Sequence, residues 1–189
     1  IGLTYGGAGA VNLGDLAGAA RRSTAVAMAV AVVLLALVAK AALVPLHTWL
    51  PRTYPHAAPA VTALFSGLLT KVGVYAIVRV YAVVFEADRR YGWALMAVAL
   101  LSLLVGALGA AGESTMRAVM AFSMVSHAGF ILVGPALASR PGFAAGIYYL
   151  VQYVLVKAGL LVCVGTVETV YGTGRLDRLG GLVGRAPML

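Results

Sequence analysis

Five apolar runs, at residues 24–44, 60–84, 91–111, 117–138 and 143–170, leave this chain few ways to fold. Each is long enough to cross a hydrocarbon core about 30 Å thick as a helix. Backbone groups surrounded by lipid must bond within their own segment, and runs of this length do so only as helices. Composition agrees: 62% of the residues are hydrophobic and 11% charged, and the mean hydropathy is +0.97. Ordinary soluble domains do not approach these values. The sequence therefore predicts an all-α polytopic membrane protein, a single membrane domain over residues 1–189 with about five transmembrane helices.

The connections carry the punctuation. Residues 1–23 are glycine-rich, with a short helix expected near Asn12–Ala20 and Ser23 as N-cap of the first span. Pro45 should close that span and interrupt it around Lys40–Pro45. The following linker, PLHTWLPRTYPHAAP, contains Trp49 and Tyr54, which suit a membrane–water interface, as does Trp93. Gly106, Gly109 and Gly112 form a small-residue face, and GFAAG at 142–146 fits close helix packing. Five spans put the two ends on opposite faces. Arg21, Arg22, Arg89, Arg90 and Arg140 fall on one face, and Arg52, Arg117, Arg175, Arg178 and Arg185 on the other. This tie gives no orientation by the positive-inside rule. The start at Ile1 and the return of apolar character at APML predict an interior piece of a longer subunit.

The polar residues inside the spans point to function. All eleven arginines lie at or near the ends of apolar runs or in the connections between them, whereas the three lysines lie in or against the runs. Arginine stays charged, but a buried lysine can release its proton. Lys71 follows Val61 by roughly 15 Å of helix and is therefore central in its span. Such a position in a membrane is functional by default. Lys157 is central in the last span, while Lys40, five residues before Pro45, equally fits a helix-end cation. Tyr149, Tyr153 and Lys157 share one helix face, and with Gln152 they could hold a file of water. His127 reads as a hydrogen-bonded polar residue ahead of a relay member. No carboxylate is central in any span, so counter-ions for the lysines are expected from other parts of the subunit. The basic residues form no nucleic-acid patch. His47 and His56 lack partners at metal-ligand spacing. Nothing resembles a nucleotide loop or a nucleophile–base pair, and the single Cys163 allows no internal disulfide.

The string KAALVPLHTWLP, followed by PAVTAL and LLTKVGVYAIVR, resembles the antiporter-like membrane subunits of two machines. These are the multisubunit Mrp-type sodium/proton antiporters and the proton-pumping NADH:quinone oxidoreductase. The likeness covers essentially residues 5–189, including the tail LDRLGGLVGRAPML, and is nearest to the D-type Mrp subunit. It implies two inverted five-helix repeats in a subunit of about fourteen helices. Lys40 then matches the lysine of an interrupted helix, Lys71 that of the next helix, and Lys157 the central lysine leading to the second half. The glutamate pairing with the first lysine would lie upstream. Relatives often carry histidines just before the third lysine, where this chain has Gln152 and Tyr153, and glutamine at the place of His127. The implied function is proton translocation in a monovalent-cation (sodium)/proton antiporter, with no cofactor and no enzymatic activity of its own. Its partners would be other membrane subunits of a hetero-oligomer, the lipid bilayer, protons and sodium ions, in a multi-pass protein of the cell membrane. The alternatives are a proton-pumping subunit of NADH:quinone oxidoreductase or a related membrane-bound hydrogenase, and a non-conducting structural subunit.

Overall fold

The computed structural model describes residues 1–180; for residues 59, 60 and 63–67 it describes the backbone alone. The tail resemblance at 181–189, with Arg185, lies outside the described residues. The elements are α1 (Gly2–Ala8), α2 (Ala19–Arg22), α3 (Thr24–Lys40), α4 (Trp49–Thr53), a 3-10 turn at Tyr54–His56, α5 (Pro59–Val84), α6 (Arg89–Gly112), α7 (Met116–Ala136), α8 (Arg140–Tyr171) and a second 3-10 turn at Leu176–Arg178. Among the described residues there is no strand, only an isolated antiparallel bridge between Thr115 and Arg175.

The five expected spans correspond to α3, α5, α6, α7 and α8. Helices α6, α7 and α8 are long and apolar enough to cross a membrane, while α3 is a shorter apolar helix of 17 residues. Helix α5 has 26 residues, about 39 Å at the usual rise. The helix starts follow local chemistry. Ser23, Asp88, Thr115 and Ser139 each accept a hydrogen bond from a backbone N–H in the first turn of α3, α6, α7 and α8, and α5 opens on Pro59. The expected helix near Asn12–Ala20 is corrected. That stretch is mostly turns, and the short helices flank it as α1 and α2, the latter entered through Gly18 at φ 67°.

The first span also ends earlier than predicted, at Lys40 rather than near residue 44. Pro45 is not what stops it. Ala42 takes φ 55°, its N–H bonds to Ala39 O at 3.2 Å, and the Leu43 N–H reaches Val38 O at 3.1 Å. These are the two bonds of a Schellman motif, and Leu43 and Val38 pack in the same apolar cluster. The freed chain is then held from outside. Ser102 Oγ of α6 accepts the Val44 N–H at 2.9 Å, and Trp49 Nε1 donates to Ala39 O at 2.8 Å.

Short connections make α5, α6, α7 and α8 successively antiparallel, α3 being joined to α5 by the longer linker that carries α4, and α6 packs most extensively on α7. The glycines anticipated at this interface do bring the backbones together. Gly106 abuts Ser126 and Gly109 abuts the Phe122 ring, while Gly112 meets nothing nearby. Gly142 and Gly146 of the GFAAG stretch lie against Gly134 and Pro135 of α7. At one end of the bundle Arg21 pairs with Glu86 at 2.9 Å. At the other, Arg117 of α7 pairs with Glu168 of α8.

Candidate functional site

Helices α5, α7 and α8 bring Lys71 and Lys157 into one buried cluster. Lys71 lies halfway along α5 and is 4% exposed, and Lys157 on α8 is 3% exposed. Lys71 Nζ donates to Thr70 Oγ1 at 3.0 Å and lies 4.2 Å from the centroid of the Tyr153 ring, where a charged ammonium meets the negative face of the ring. Lys157 Nζ donates to Ser123 Oγ and approaches Met120 Sδ at 3.4 Å.

The tyrosine face of α8 continues the cluster. Tyr153 is buried, and its ring is close to both Lys71 and the imidazole of His127, the two ring centroids of Tyr153 and His127 being 5.0 Å apart. His127 Nδ1 shares a 2.6 Å hydrogen bond with the Tyr149 hydroxyl. Ser123 and His127 are one turn apart on α7, facing Tyr149, Tyr153 and Lys157 on α8. An amine, an imidazole and hydroxyls thus run along one helix interface, all groups that can pass protons. Among the described residues neither lysine has a carboxylate partner, since the ion pairs there involve arginines. Burying an unmatched charge costs several kcal/mol per ion by order of magnitude.

Two sequence candidates are not brought into this cluster. Gln152 faces outward and is exposed, because five residues of helix turn it well away from Lys157. Lys40 is exposed at the last turn of α3, where the negative end of the helix dipole favours a cation. The broken end nevertheless abuts α5 two residues beyond Lys71: a methyl group on Gly73 would sit 3.0 Å from Ala41 N. Three contributors were not anticipated, Thr70, Met120 and Ser123. Ser123 had a legible signal in its spacing of four from His127. Met120 had none.

The sequence and the fold are similar to those of known proteins. A family model described as "NADH:quinone oxidoreductase/Mrp antiporter, TM" matches residues 1–189. The chain belongs to this family. Among curated relatives, it is 34% identical over its whole length to the D-type subunit of the Na(+)/H(+) antiporter of Alkalihalophilus pseudofirmus, of which it covers 39%. It is 32% identical over 99% of its length to the N-type subunit of the NADH-quinone oxidoreductase of Parvibaculum lavamentivorans, of which it covers 40%. The chain therefore spans about two fifths of these relatives. Among solved structures, a chain of the Mrp complex from Dietzia sp. superposes with a TM-score of 0.95 at 50% identity, with 98% of this chain and 35% of that one covered. A chain of an archaeal membrane-bound sulfane sulfur reductase gives 0.88 at 26% identity, covering 99% and 39%. As a member of the Mrp antiporter and quinone oxidoreductase family, the protein is a multi-pass membrane subunit of the antiporter type.

Proposed function

We propose that this chain is the proton-translocating part of a membrane subunit in a multisubunit sodium/proton antiporter of the cell membrane. Protons pass by way of Lys71 and Lys157 and the hydroxyl and imidazole groups of Tyr149, His127 and Tyr153, with Lys40 receiving or delivering them at the break after α3. The supporting observation is the pair of buried lysines in a shared polar seam. A subunit that only packed against partners would be more stable with leucine at both places. The antiporter assignment leans on the 50% identity to a chain of an Mrp complex, against 32% to a quinone oxidoreductase subunit. Other membrane subunits of such an assembly are the expected partners.

The test uses the full-length subunit in its complex, reconstituted in vesicles, with exchange normalised to assembled protein. A proton station must exist in both protonation states, and a guanidinium does not give up its proton. Lys71→Arg should therefore abolish proton–sodium exchange nearly as fully as Lys71→Ala. Robust exchange by the arginine variant would show a structural cation and sink the mechanism. Replacing sodium by potassium in the same assay tests the cation.

A further inference from the structure

Lys157 needs an approach from water, and one end of the bundle carries cavities aligned with it. A polar cavity of about 700 Å³ opens where α7 begins and α8 ends, among Arg52, His56, Glu113, Arg117, Glu168 and Arg175. Arg117 also lines a second, inner cavity of about 10 Å³, together with Tyr54, Thr62, Ala121 and Leu161. The Arg117–Glu168 ion pair thus stands between the two. On α8, Lys157, Leu161, Val164 and Glu168 form one stripe at spacings of four, three and four, so Glu168 lies roughly 16 Å from Lys157 along the helix. Leu161 and Val164 of this stripe are buried. On α7, Arg117, Ala121 and Met124 line the inner cavity from one face, and Ser123, on another face of the same turns, holds Lys157 Nζ. Along α8 the inner cavity, lined by Leu161 and Val164, therefore lies between Glu168 and Lys157.

Tyr54 supplies a second, independent sign. It is 8% exposed, and its hydroxyl, buried, has no hydrogen-bond partner among the described residues. Buried tyrosine hydroxyls ordinarily find one. The inner cavity has about the least volume that a single water needs. Burial pushes the Tyr54 phenol above its ordinary value, so it keeps its proton and can donate one hydrogen bond while accepting another.

We propose that protons reach Lys157 from this face of the membrane, with the outer cavity as vestibule, the Arg117–Glu168 pair as gate, and a water on the Tyr54 hydroxyl as the relay behind it. The proposal rests on the proton-translocating role above. A hydronium in the vestibule gives its proton to Glu168 and leaves as water, and the neutral acid releases Arg117. The proton then moves by exchange of O–H bonds through the inner water and Tyr54 to an unprotonated Lys157 Nζ. Glu168 is again a carboxylate and the lysine an ammonium, so charge and protons balance. The charged and titratable groups facing Glu168 are Arg117 from α7, Arg52 and His56 from the linker, Glu113 before α7, and Arg175 after α8. Arg117 also donates to Ala57 O at 2.8 Å and Pro55 O at 3.3 Å, so releasing it would loosen the linker that carries Tyr54.

The rival is a plain staple joining α7, α8 and the linker. Tyr54→Phe separates the two, because it removes only a hydroxyl that holds no protein group in place. In the full-length subunit within its complex, we expect exchange to fall on the order of a hundredfold, with assembly and melting temperature unchanged. As a second measurement, Thr173→Cys at the outer cavity, in a Cys163→Ser background, should react with a small cationic thiol reagent from this membrane face alone, and Glu168→Gln should lose most exchange. Wild-type exchange by Tyr54→Phe, while the lysine variants are inactive, would overturn the route and leave the lysine mechanism standing. Labelling from the opposite face would overturn the vestibule, and wild-type exchange by Glu168→Gln would overturn the gate. Exchange by the lysine variants would instead overturn the function on which the route depends.

Discussion

Ser102 carries more of this structure than its position in an apolar run implies. It is fully buried in α6, donates to Val98 O at 2.7 Å and accepts the Val44 N–H freed by the break after α3. Ser102→Ala leaves that donor unsatisfied, which costs about 1–3 kcal/mol. The purified complex should melt at a lower temperature, and unchanged melting would mean that the break is held some other way. Ala42 is the other residue on which the break depends. A left-handed alanine costs roughly 1–2 kcal/mol, but its buried methyl contributes about 0.8 kcal/mol per carbon. Ala42→Gly should therefore change stability little, whereas Ala42→Val puts a β-branched side chain at φ 55° and should destabilise clearly, by about 1–3 kcal/mol. A melting curve for each variant distinguishes the two cases.

At the scale of elements, the long helices touch through glycine. A methyl group on Gly129 of α7 would lie 2.8 Å from Leu103 N and close to Ala99 O of α6. These are backbone atoms and cannot swing aside. Gly129→Ala must then push α6 from α7 at about 1–3 kcal/mol, and it displaces Ser102 in the same move. Gly159 of α8 meets nothing within 4 Å, so Gly159→Ala should stabilise the helix by about 0.5–1 kcal/mol. Thermal unfolding of the complex reads both. Loss of stability in Gly159→Ala would reveal a neighbouring subunit seated on that face of α8.

At the scale of the whole molecule, the antiparallel succession of long helices sorts the charged ends. Arg52 lines the cavity with Arg117 and Arg175, while Arg90 follows the α6 cap at Asp88, beside the Arg21–Asp88 contact of 3.7 Å. Cysteines placed at 52 and 90 in the full-length complex should react with impermeant reagents from opposite faces of the membrane. Labelling of both from one face would refute this topology.

The sequence by itself determined the class, the five long helices and the depth of Lys71 and Lys157, because run length, helical rise and the price of a charge in hydrocarbon act locally along the chain. It also determined the Ser23 cap and the contacts of Gly106 and Gly109, though not of Gly112, which meets no neighbour. The tertiary structure decided what surrounds each lysine. Thr70 is adjacent to its partner in sequence, but Ser123 and Met120 reach Lys157 from another helix, and no local pattern records which helix faces which. It also decided that α3 stops at Lys40, since Ala42 is an ordinary residue in sequence and is held left-handed by packing around Leu43 and by Ser102, 58 residues from the Val44 it caps. Gln152 turned outward for the same reason: a helix rich in apolar residues on every side shows its buried face only when its neighbours are in place.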